Sequence, residues 1–143
     1  SHKIHSSLKY WIYRESISCI SSPDTWKFLE EYLLAVKESL ADWLLSNHSG
    51  KIYAYGASAT STVFLQYMEI EKYIHAIVDD NPKRQGLYAP GSGLKVVDSS
   101  HLRNAKACLL LAWRFAPMIT PRLDMLSLQW LIPLPVLKTN NNF

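Results

Sequence analysis

Apolar residues in the first third of the chain recur at the spacing of an amphipathic helix. They follow one another mostly at intervals of three and four residues, which places them on one stripe of a long helix. The stripe comprises Trp26, Leu29, Leu33, Val36, Leu40, Trp43 and Leu44. Ser22-Pro23-Asp24 precedes it and supplies a capping hydroxyl, a proline suited to the first helical turn and an acid near the helix start. We therefore predict a long helix that begins near Pro23.

Later in the chain, short apolar runs alternate with a second and a third helical pattern. The second helical pattern extends from Ala57 to Glu69, with Val63, Phe64, Tyr67 and Met68 on its inner face, and the third covers Ala116 to Met125. The runs typical of strands are Lys51–Tyr55, Ile74–Val78, Lys95–Val97, Ala107–Ala112 and Leu128–Ile132. Strands that alternate with helices favour a parallel sheet with right-handed crossovers.

This order predicts the α/β class and a Rossmann-like, three-layer domain with a mostly parallel sheet over residues 22–138. An extra strand at Leu8–Arg14 and the long amphipathic helix precede the sheet. Residues 1–21 are interpreted as that strand and a linker, and residues 139–143 as a frayed tail.

Composition narrows the classes of function. A length of 143 residues suits one domain, and 48% hydrophobic residues are enough for a core. The net charge of +3 comes from scattered Lys and Arg, which argues against nucleic acid as a partner. No apolar run has the length of a membrane span and no signal peptide is visible, so we expect no membrane partner and a cytoplasmic location.

Two segments should meet at the carboxyl edge of the sheet, where ligands bind to such folds. The turn Gly56-Ala57-Ser58-Ala59-Thr60-Ser61 opens a helix, and its free amides and hydroxyls suit an anion such as a phosphate. Asp79 follows Gly56 by 23 residues, close to the spacing of a ribose-binding acid in dinucleotide folds. The alternative is a tight turn and a capping aspartate without a ligand. The glycine fingerprint of a dinucleotide oxidoreductase is broken, which makes that class a weak candidate.

Other polar and aromatic residues near this edge have two interpretations each. Trp113 and Arg114 follow a buried strand and could stack on a base and pair with a phosphate, or serve packing. Lys83-Arg84-Gln85 could meet a phosphate or a carboxylate, or form a solvated loop. Asp79-Asp80 could be a carboxylate pair for acid/base work or metal binding, but a solvated turn is the favoured interpretation, since neighbours on a strand end point different ways. The histidines and the two distant cysteines have no ligand or triad spacing, so we predict no catalytic residues and no metal site.

Several segments, in this order and spacing, resemble the C-terminal domain of the S-adenosylmethionine-dependent C-methyltransferases that act on nucleotide-linked deoxysugars. They are Lys51–Ala59, Ile77–Gly91, Leu109–Phe115 and Ile132–Pro135. The middle segment, Ile-Val-Asp-Asp-Asn-Pro-Lys-Arg-Gln-Gly-Leu-Tyr-Ala-Pro-Gly, is the longest and most specific. His5–Tyr10 is similar to the end of the family's methyltransferase domain, so residues 1–21 would be a remnant of an upstream domain.

The resemblance implies a Rossmann-like domain that binds a nucleotide-sugar against a middle domain, which carries S-adenosylmethionine and the catalytic base. This chain would then hold no cofactor, have the nucleotide-sugar and the upstream methyltransferase domain as partners, and be inactive alone. Together, the resemblance and the strand-end positions give the predicted substrate-binding residues: Tyr55, Gly56, Ala57, Ser58, Thr60, Asp79, Asn81, Trp113 and Arg114.

The sequence departs from the family pattern in three places. Thr60-Ser61 stands where the family usually has Lys-Gly, Arg114 replaces a common asparagine, and Ser6-Ser7 replaces Gly-Gly. Arg114 would then take over the phosphate contact of the missing lysine. The alternative is a protein-interaction module that descends from such a domain and binds no ligand.

Overall fold

The computed structural model describes residues 13–16, 18–20, 22–135 and 137–140. The chain divides into two compact units, residues 1–36 and 37–143. Most of the strand predicted at Leu8–Arg14 lies outside the described residues. Its last two residues, Tyr13 and Arg14, are helical, so the prediction is wrong there. Their carbonyl groups accept hydrogen bonds from Ser16 and Ser18, and these local bonds close a helical turn.

Helix α1 (Pro23–Asn47) begins in the first unit and ends in the second, with Pro23 and Asp24 in its first turn. Its predicted apolar stripe is buried only from Val36 onward, through Leu40, Trp43 and Leu44. Trp26 and Leu29 belong to the same stripe but are exposed, so the start of the helix has the apolar spacing without the burial. Helical spacing fixes which residues share a face, but it does not fix what covers that face.

The second unit is built around a six-stranded sheet in the order β3-β2-β1-β4-β5-β6. The strands are β1 (Ile52–Tyr55), β2 (Ala76–Val78), β3 (Val96–Val97), β4 (Ala107–Leu110), β5 (Gln129–Ile132) and β6 (Lys138–Thr139). The first five pair in parallel and β6 is antiparallel to β5. The predicted α/β class and mostly parallel sheet are therefore confirmed. After β3 the chain returns to place β4 beside β1, so the order of strands reverses there.

Helices α2 (Ala59–Met68) and α3 (Ala116–Met125) connect these strands, together with 3-10 helices at Glu71–Tyr73, Ser99–Asn104 and Trp113–Phe115. On one face of the sheet, strand side chains pack with Ile119 and Leu123 of α3. Alternate strand residues point to the other face and are also buried, so that face is covered as well. Phe64, Leu65 and Met68 of α2 are buried, but Val63 and Tyr67 are exposed, which corrects half of the predicted inner face.

The C-terminal segment is more ordered than predicted. Lys138 and Thr139 form β6, and the Asn140 side chain bonds to two backbone groups at the start of β5. Its Oδ1 accepts from the Trp130 amide at 3.0 Å and its Nδ2 donates to the Leu128 carbonyl at 2.8 Å. The prediction of a frayed tail from residue 139 is therefore wrong for Thr139 and Asn140, while residues 141–143 lie outside the described part.

The two cysteines differ in burial, and we expect them to differ in reactivity. Cys108 in β4 is fully buried and Cys19 is exposed, and both thiols are free. Burial raises the pKa of the Cys108 thiol, which suppresses the reactive thiolate. An aromatic disulfide reagent should therefore titrate one thiol in the native protein and both in denaturant. Cys19→Ser should abolish the native signal, and equal native rates for both thiols would contradict this packing.

Candidate functional site

A cleft of about 610 Å³ opens at the carboxyl ends of β1, β2 and β4. One wall comes from the turn after β1 and the residues after β2. The opposite wall comes from the residues after β4 and from one face of α3. The cleft thus lies at the reversal of strand order between β1 and β4, where open α/β sheets bind their ligands.

Gly56 ends β1 and lets the chain turn closely past the end of β4. Its φ of +105° is a conformation that residues with a side chain rarely adopt. A Cβ at this position would lie 2.8 Å from the Cβ of Ala112 and 3.1 Å from its amide nitrogen. The Tyr55 carbonyl accepts bonds from the amides of Leu111 and Ala112, both at 3.0 Å. The two sides of the cleft floor are therefore held together directly below Gly56.

Ser58 caps the helix that follows this turn. Its hydroxyl accepts a hydrogen bond from the Ser61 amide at 3.1 Å and pairs with the Ser61 hydroxyl at 2.9 Å. Ala59 and Thr60 begin α2, so their amides have no acceptor within the helix. These donors and the positive end of the helix dipole border the cleft beside the Thr60 side chain. This corner of the cleft is suited to an anion.

Asp79 joins the two loops that follow β1 and β2. It is only 7% exposed, and its carboxylate accepts three hydrogen bonds. Oδ2 accepts from the Ala57 amide at 2.7 Å and from Arg84 at 3.0 Å, and Oδ1 accepts from the Asn81 amide at 2.9 Å. Its own carbonyl accepts from Gln85 at 3.0 Å. The buried Asp79 side chain therefore fixes the two loops that form this wall of the cleft.

Asp80, the next residue, belongs to a second set of contacts that we call the Tyr55–Asp80–Arg122 cluster. Its Oδ2 accepts from the Tyr55 hydroxyl at 2.8 Å and from Arg122 Nη2 at 2.7 Å. Arg122 also donates to the Tyr55 oxygen, and its guanidinium lies 5.7 Å from the centre of the Tyr55 ring. The cluster joins β1, the end of β2 and α3 across the cleft. The prediction that Asp79-Asp80 is a solvated turn is wrong for Asp79, which is buried, whereas Asp80 is exposed but is also paired.

The contacts within the cluster lower the pKa of Asp80 and raise the pKa values of Tyr55 and Arg122. Partial burial raises the pKa of the Asp80 carboxyl, but the hydrogen bonds from Arg122 and Tyr55 outweigh it and hold that pKa below its usual value. Burial, and then the bond to Asp80, raises the pKa of the Tyr55 hydroxyl. The bond to Asp80 raises the pKa of Arg122. At neutral pH the cluster is therefore a carboxylate, a guanidinium and a neutral phenol.

The wall after β4 is aromatic, apolar and cationic. The Trp113 ring meets the Phe64 ring edge-on, with centroids 6.1 Å apart, and Phe115 and Met118 are exposed beside the cleft. Three arginines border the cleft, and two of them are paired, Arg84 with Asp79 and Arg122 with Asp80. Arg114 is exposed and forms no hydrogen bond or ion pair with any residue that the structure describes. It is the uncompensated charge of this wall.

Most of the predicted site residues come together. Those that line the cleft are Tyr55, Gly56, Ala57, Ser58, Thr60, Asp79, Trp113 and Arg114. Asn81 does not line it. The Asn81 side chain instead accepts from the Lys83 amide at 3.0 Å and closes the turn after β2.

Sequence reasoning missed Asp80, Phe115, Met118 and Arg122, which also border the cleft. The available signal was helical spacing, because Arg122 follows Met118 by four residues and so shares its face of α3, while Phe115 immediately precedes that helix. For Arg84 the sequence left open a contact with a phosphate or a carboxylate or a place in a solvated loop, and in the structure Arg84 pairs with the Asp79 carboxylate.

In the part of the chain that the structure describes, no group of three or more His, Cys, Asp or Glu side chains is placed to hold a metal ion. None of the described helices has the length and apolar character required to cross a membrane.

Comparisons with known proteins agree with this architecture. The chain is similar in fold to the UDP-D-quinovosamine 4-dehydrogenase of Vibrio fischeri, with a TM-score of 0.50 and 18% identity over 64% of this chain and 93% of that one. No curated protein sequence matches. The sequence model of the C-methyltransferase C-terminal domain matches residues 1–135. Since this match covers nearly the whole chain, the protein belongs to the C-methyltransferase C-terminal domain family.

Proposed function

We propose that this chain is the nucleotide-sugar-binding domain of an S-adenosylmethionine-dependent C-methyltransferase, and that it does not catalyse methyl transfer alone. One observation carries the proposal: the cleft at the reversal of strand order brings the start of α2 and the uncompensated Arg114 to one space. In a member of this family, that is the arrangement expected for a ligand with a phosphate group.

The phosphate end of the ligand is assigned to the space between Ser58 and Thr60 on one wall of the cleft and Arg114 on the opposite wall. The first amides of α2 and the hydroxyl of Thr60 supply neutral donors, and Arg114 supplies a guanidinium that no described carboxylate neutralises. A guanidinium matches the geometry of a phosphate and binds it with charge-assisted hydrogen bonds.

The rest of the cleft is suited to the base and the sugar. Its volume of about 610 Å³ lies within the usual range for small-molecule sites. Trp113 and Phe115 offer aromatic surface to a base, and the opposite wall offers polar groups to a sugar. By its name, the structurally similar dehydrogenase acts on a UDP-linked sugar, which supports the choice of a nucleotide-sugar for this fold.

Methyl transfer needs S-adenosylmethionine and a base on the substrate carbon. We assign both to an upstream methyltransferase domain, against which this domain would present the bound sugar. S-adenosylmethionine incubated with the purified chain and a nucleotide-sugar should therefore give no methylated product, and a methylated product would refute the assignment.

Calorimetric titration of the chain with UDP-glucose and dTDP-glucose tests the proposal directly. Saturable heat with one site per chain is the expected result. Absence of heat with both ligands and with their free nucleoside diphosphates would reject it. That outcome would favour the alternative, a protein-interaction module that has lost its ligand, to which the Thr60-Ser61 departure points.

Arg114→Gln should raise the Kd of a nucleotide-sugar about tenfold, which corresponds to roughly 1.4 kcal/mol. The reason is the loss of a charge-assisted contact to phosphate. Arg103→Gln is the matched control, because Arg103 is an exposed arginine in the Ser99–Asn104 helix and does not border the cleft. Equal effects of the two substitutions, measured by calorimetry at fixed ionic strength, would mean that only the net charge matters.

A further inference from the structure

We propose that Asp80, and not the neighbouring Asp79, accepts a hydrogen bond from a sugar hydroxyl of the ligand, and that Tyr55 and Arg122 hold its carboxylate in position. This assignment rests on the proposed function, because it names the group in the cleft that recognises the sugar. It concerns the acid at the end of β2, where open α/β sheets that bind dinucleotides place a ribose-binding residue.

The contacts of Asp79 argue against Asp79 in this role. Its carboxylate is almost fully buried, and it is already the acceptor for two backbone amides and for Arg84. Only one lone-pair position, on Oδ1, is left unused, and at 7% exposure Asp79 gives a ligand hydroxyl little access to it. Asp79 is therefore the group that fixes the two loops.

Asp80 differs from Asp79 in exposure and in the use of its oxygens. About half of its side chain is exposed, at 52%, and it borders the cleft. Both of its hydrogen bonds, from Tyr55 and from Arg122, end on Oδ2. Oδ1 accepts no hydrogen bond from any residue that the structure describes, so it can accept one from a ligand without the loss of an existing contact.

The two partners give this oxygen a defined orientation and charge. Tyr55 comes from β1 and Arg122 from α3, so the carboxylate is held between two different elements. The same hydrogen bonds keep the pKa of Asp80 low, and an ionised carboxylate is the stronger acceptor. Tyr55 and Arg122 are positioning residues, since they act on the ligand through Asp80.

Arg122 also has hydrogen-bond donors that are free to bind the sugar. It uses Nη2 for both Asp80 and Tyr55, and its Nη1 and Nε donate to no described residue. The Asp80 carboxylate can accept a hydrogen bond from one hydroxyl, and the unused N–H groups of Arg122 can donate to the oxygen of an adjacent hydroxyl. This pair of groups suits the neighbouring hydroxyls of a sugar, which are present both in a ribose and in a hexose.

The test combines Asp80→Asn with ligands that differ by a hydroxyl, in calorimetric titrations of the 143-residue chain. The ligands are UDP, 2′-deoxy-UDP and UDP-glucose. If the ribose is bound, UDP should bind the unmodified chain about tenfold more tightly than 2′-deoxy-UDP, and Asp80→Asn should abolish this preference. If the hexose is bound, UDP-glucose should exceed UDP by a similar factor, and the variant should lose that advantage. Either pattern supports the assignment, and the pair of ligands identifies the sugar.

The ratio of the Kd values of two ligands, which we call the preference, separates the loss of a hydroxyl contact from the effect of the changed charge. Asp80→Asn also removes a negative charge beside Arg122, which changes the affinity for the phosphates of every ligand. This change is the same for the two ligands whose affinities are compared, so it cancels in their ratio. Asp98→Asn is the matched control. Asp98 follows β3 and does not border the cleft, and the substitution changes the net charge by the same amount. It should leave every preference unchanged.

Tyr55→Phe guards against misfolding of the first variant. It keeps the charge of Asp80 and removes one of the two bonds that orient it, so the same preference should fall about threefold. An Asp80→Asn protein that folds and keeps the full preference would overturn the assignment, as would an unmodified chain that binds all three ligands equally. In both cases the proposed function would stand. No binding of any nucleotide by the unmodified chain would overturn the proposed function and this assignment with it.

Discussion

Gly56→Ala should lower the free energy of unfolding by about 3 kcal/mol, since it combines backbone strain with a steric clash. At a φ of +105°, any residue with a side chain is strained. The new methyl group would also lie 2.8 Å from the Cβ of Ala112. Ala112 cannot move away easily, because its amide is bonded to the Tyr55 carbonyl at 3.0 Å. Equilibrium urea unfolding, followed by tryptophan fluorescence, measures the loss.

Gly86→Ala is the matched control for this substitution. Gly86 has a φ of +85°, so alanine is strained there as well, but no atom lies within 4 Å of the position of the new methyl group. We expect a loss of about 1 kcal/mol from strain alone. The difference between the two variants isolates the close approach of the turn to the end of β4. Equal losses would show that this approach is not needed for stability.

Asp79→Ala should cost about 3 kcal/mol and should also weaken nucleotide-sugar binding. The substitution leaves the amides of Ala57 and Asn81 and the guanidinium of Arg84 without their acceptor, at a position where the carboxylate is only 7% exposed. The turn after β1 then loses the hydrogen bond that fixes Ala57. Thermal or urea unfolding gives the stability, and calorimetry with UDP-glucose gives the affinity.

Asp98→Ala provides the comparison for Asp79→Ala. Asp98 also follows a strand and accepts from a backbone amide, that of Ser100 at 2.8 Å, but its side chain is exposed and borders no cleft. Water can replace this acceptor, so only a small fraction of the loss seen at Asp79 is expected, with no change in affinity. An Asp79→Ala protein as stable as Asp98→Ala would show that the three bonds to Asp79 contribute little.

Local patterns predicted the parts of the fold in which sequence and environment agree. The runs at Ala107–Ala112 and Lys51–Tyr55 contain buried central strands, because a strand covered on both faces needs apolar residues at successive positions. The start of α1 was predictable from Pro23 and Asp24, whose chemistry acts within a single turn. By contrast, β6 depends on the side chain of Asn140, which bonds to the neighbouring strand, and a tail of asparagines carries no strand signal.

The candidate site was predictable on one side only. Gly56, Ser58 and Asp79 lie at strand ends, where the topology itself points to a ligand. Asp80 and Arg122 were missed because their importance depends on each other. They are 42 residues apart, and the sequence around each one predicts only a charged side chain in contact with water. Spacing along α3 shows which residues share a face with Arg122, but it does not show that Asp80 and Tyr55 lie opposite.

The separation of these contacts along the chain has a consequence for the order in which the cleft assembles during synthesis. The bond between Ala57 and Asp79 spans 22 residues, whereas that between Tyr55 and Arg122 spans 67. As the chain emerges from the ribosome, the wall formed by the turn after β1 and the residues after β2 closes first. Arg122, the partner of Asp80, is translated later. Long-range contacts of this kind also carry the larger loop-closure cost. The site is therefore complete only once α3 has docked, and a nascent chain that stops short of α3 has one half of it.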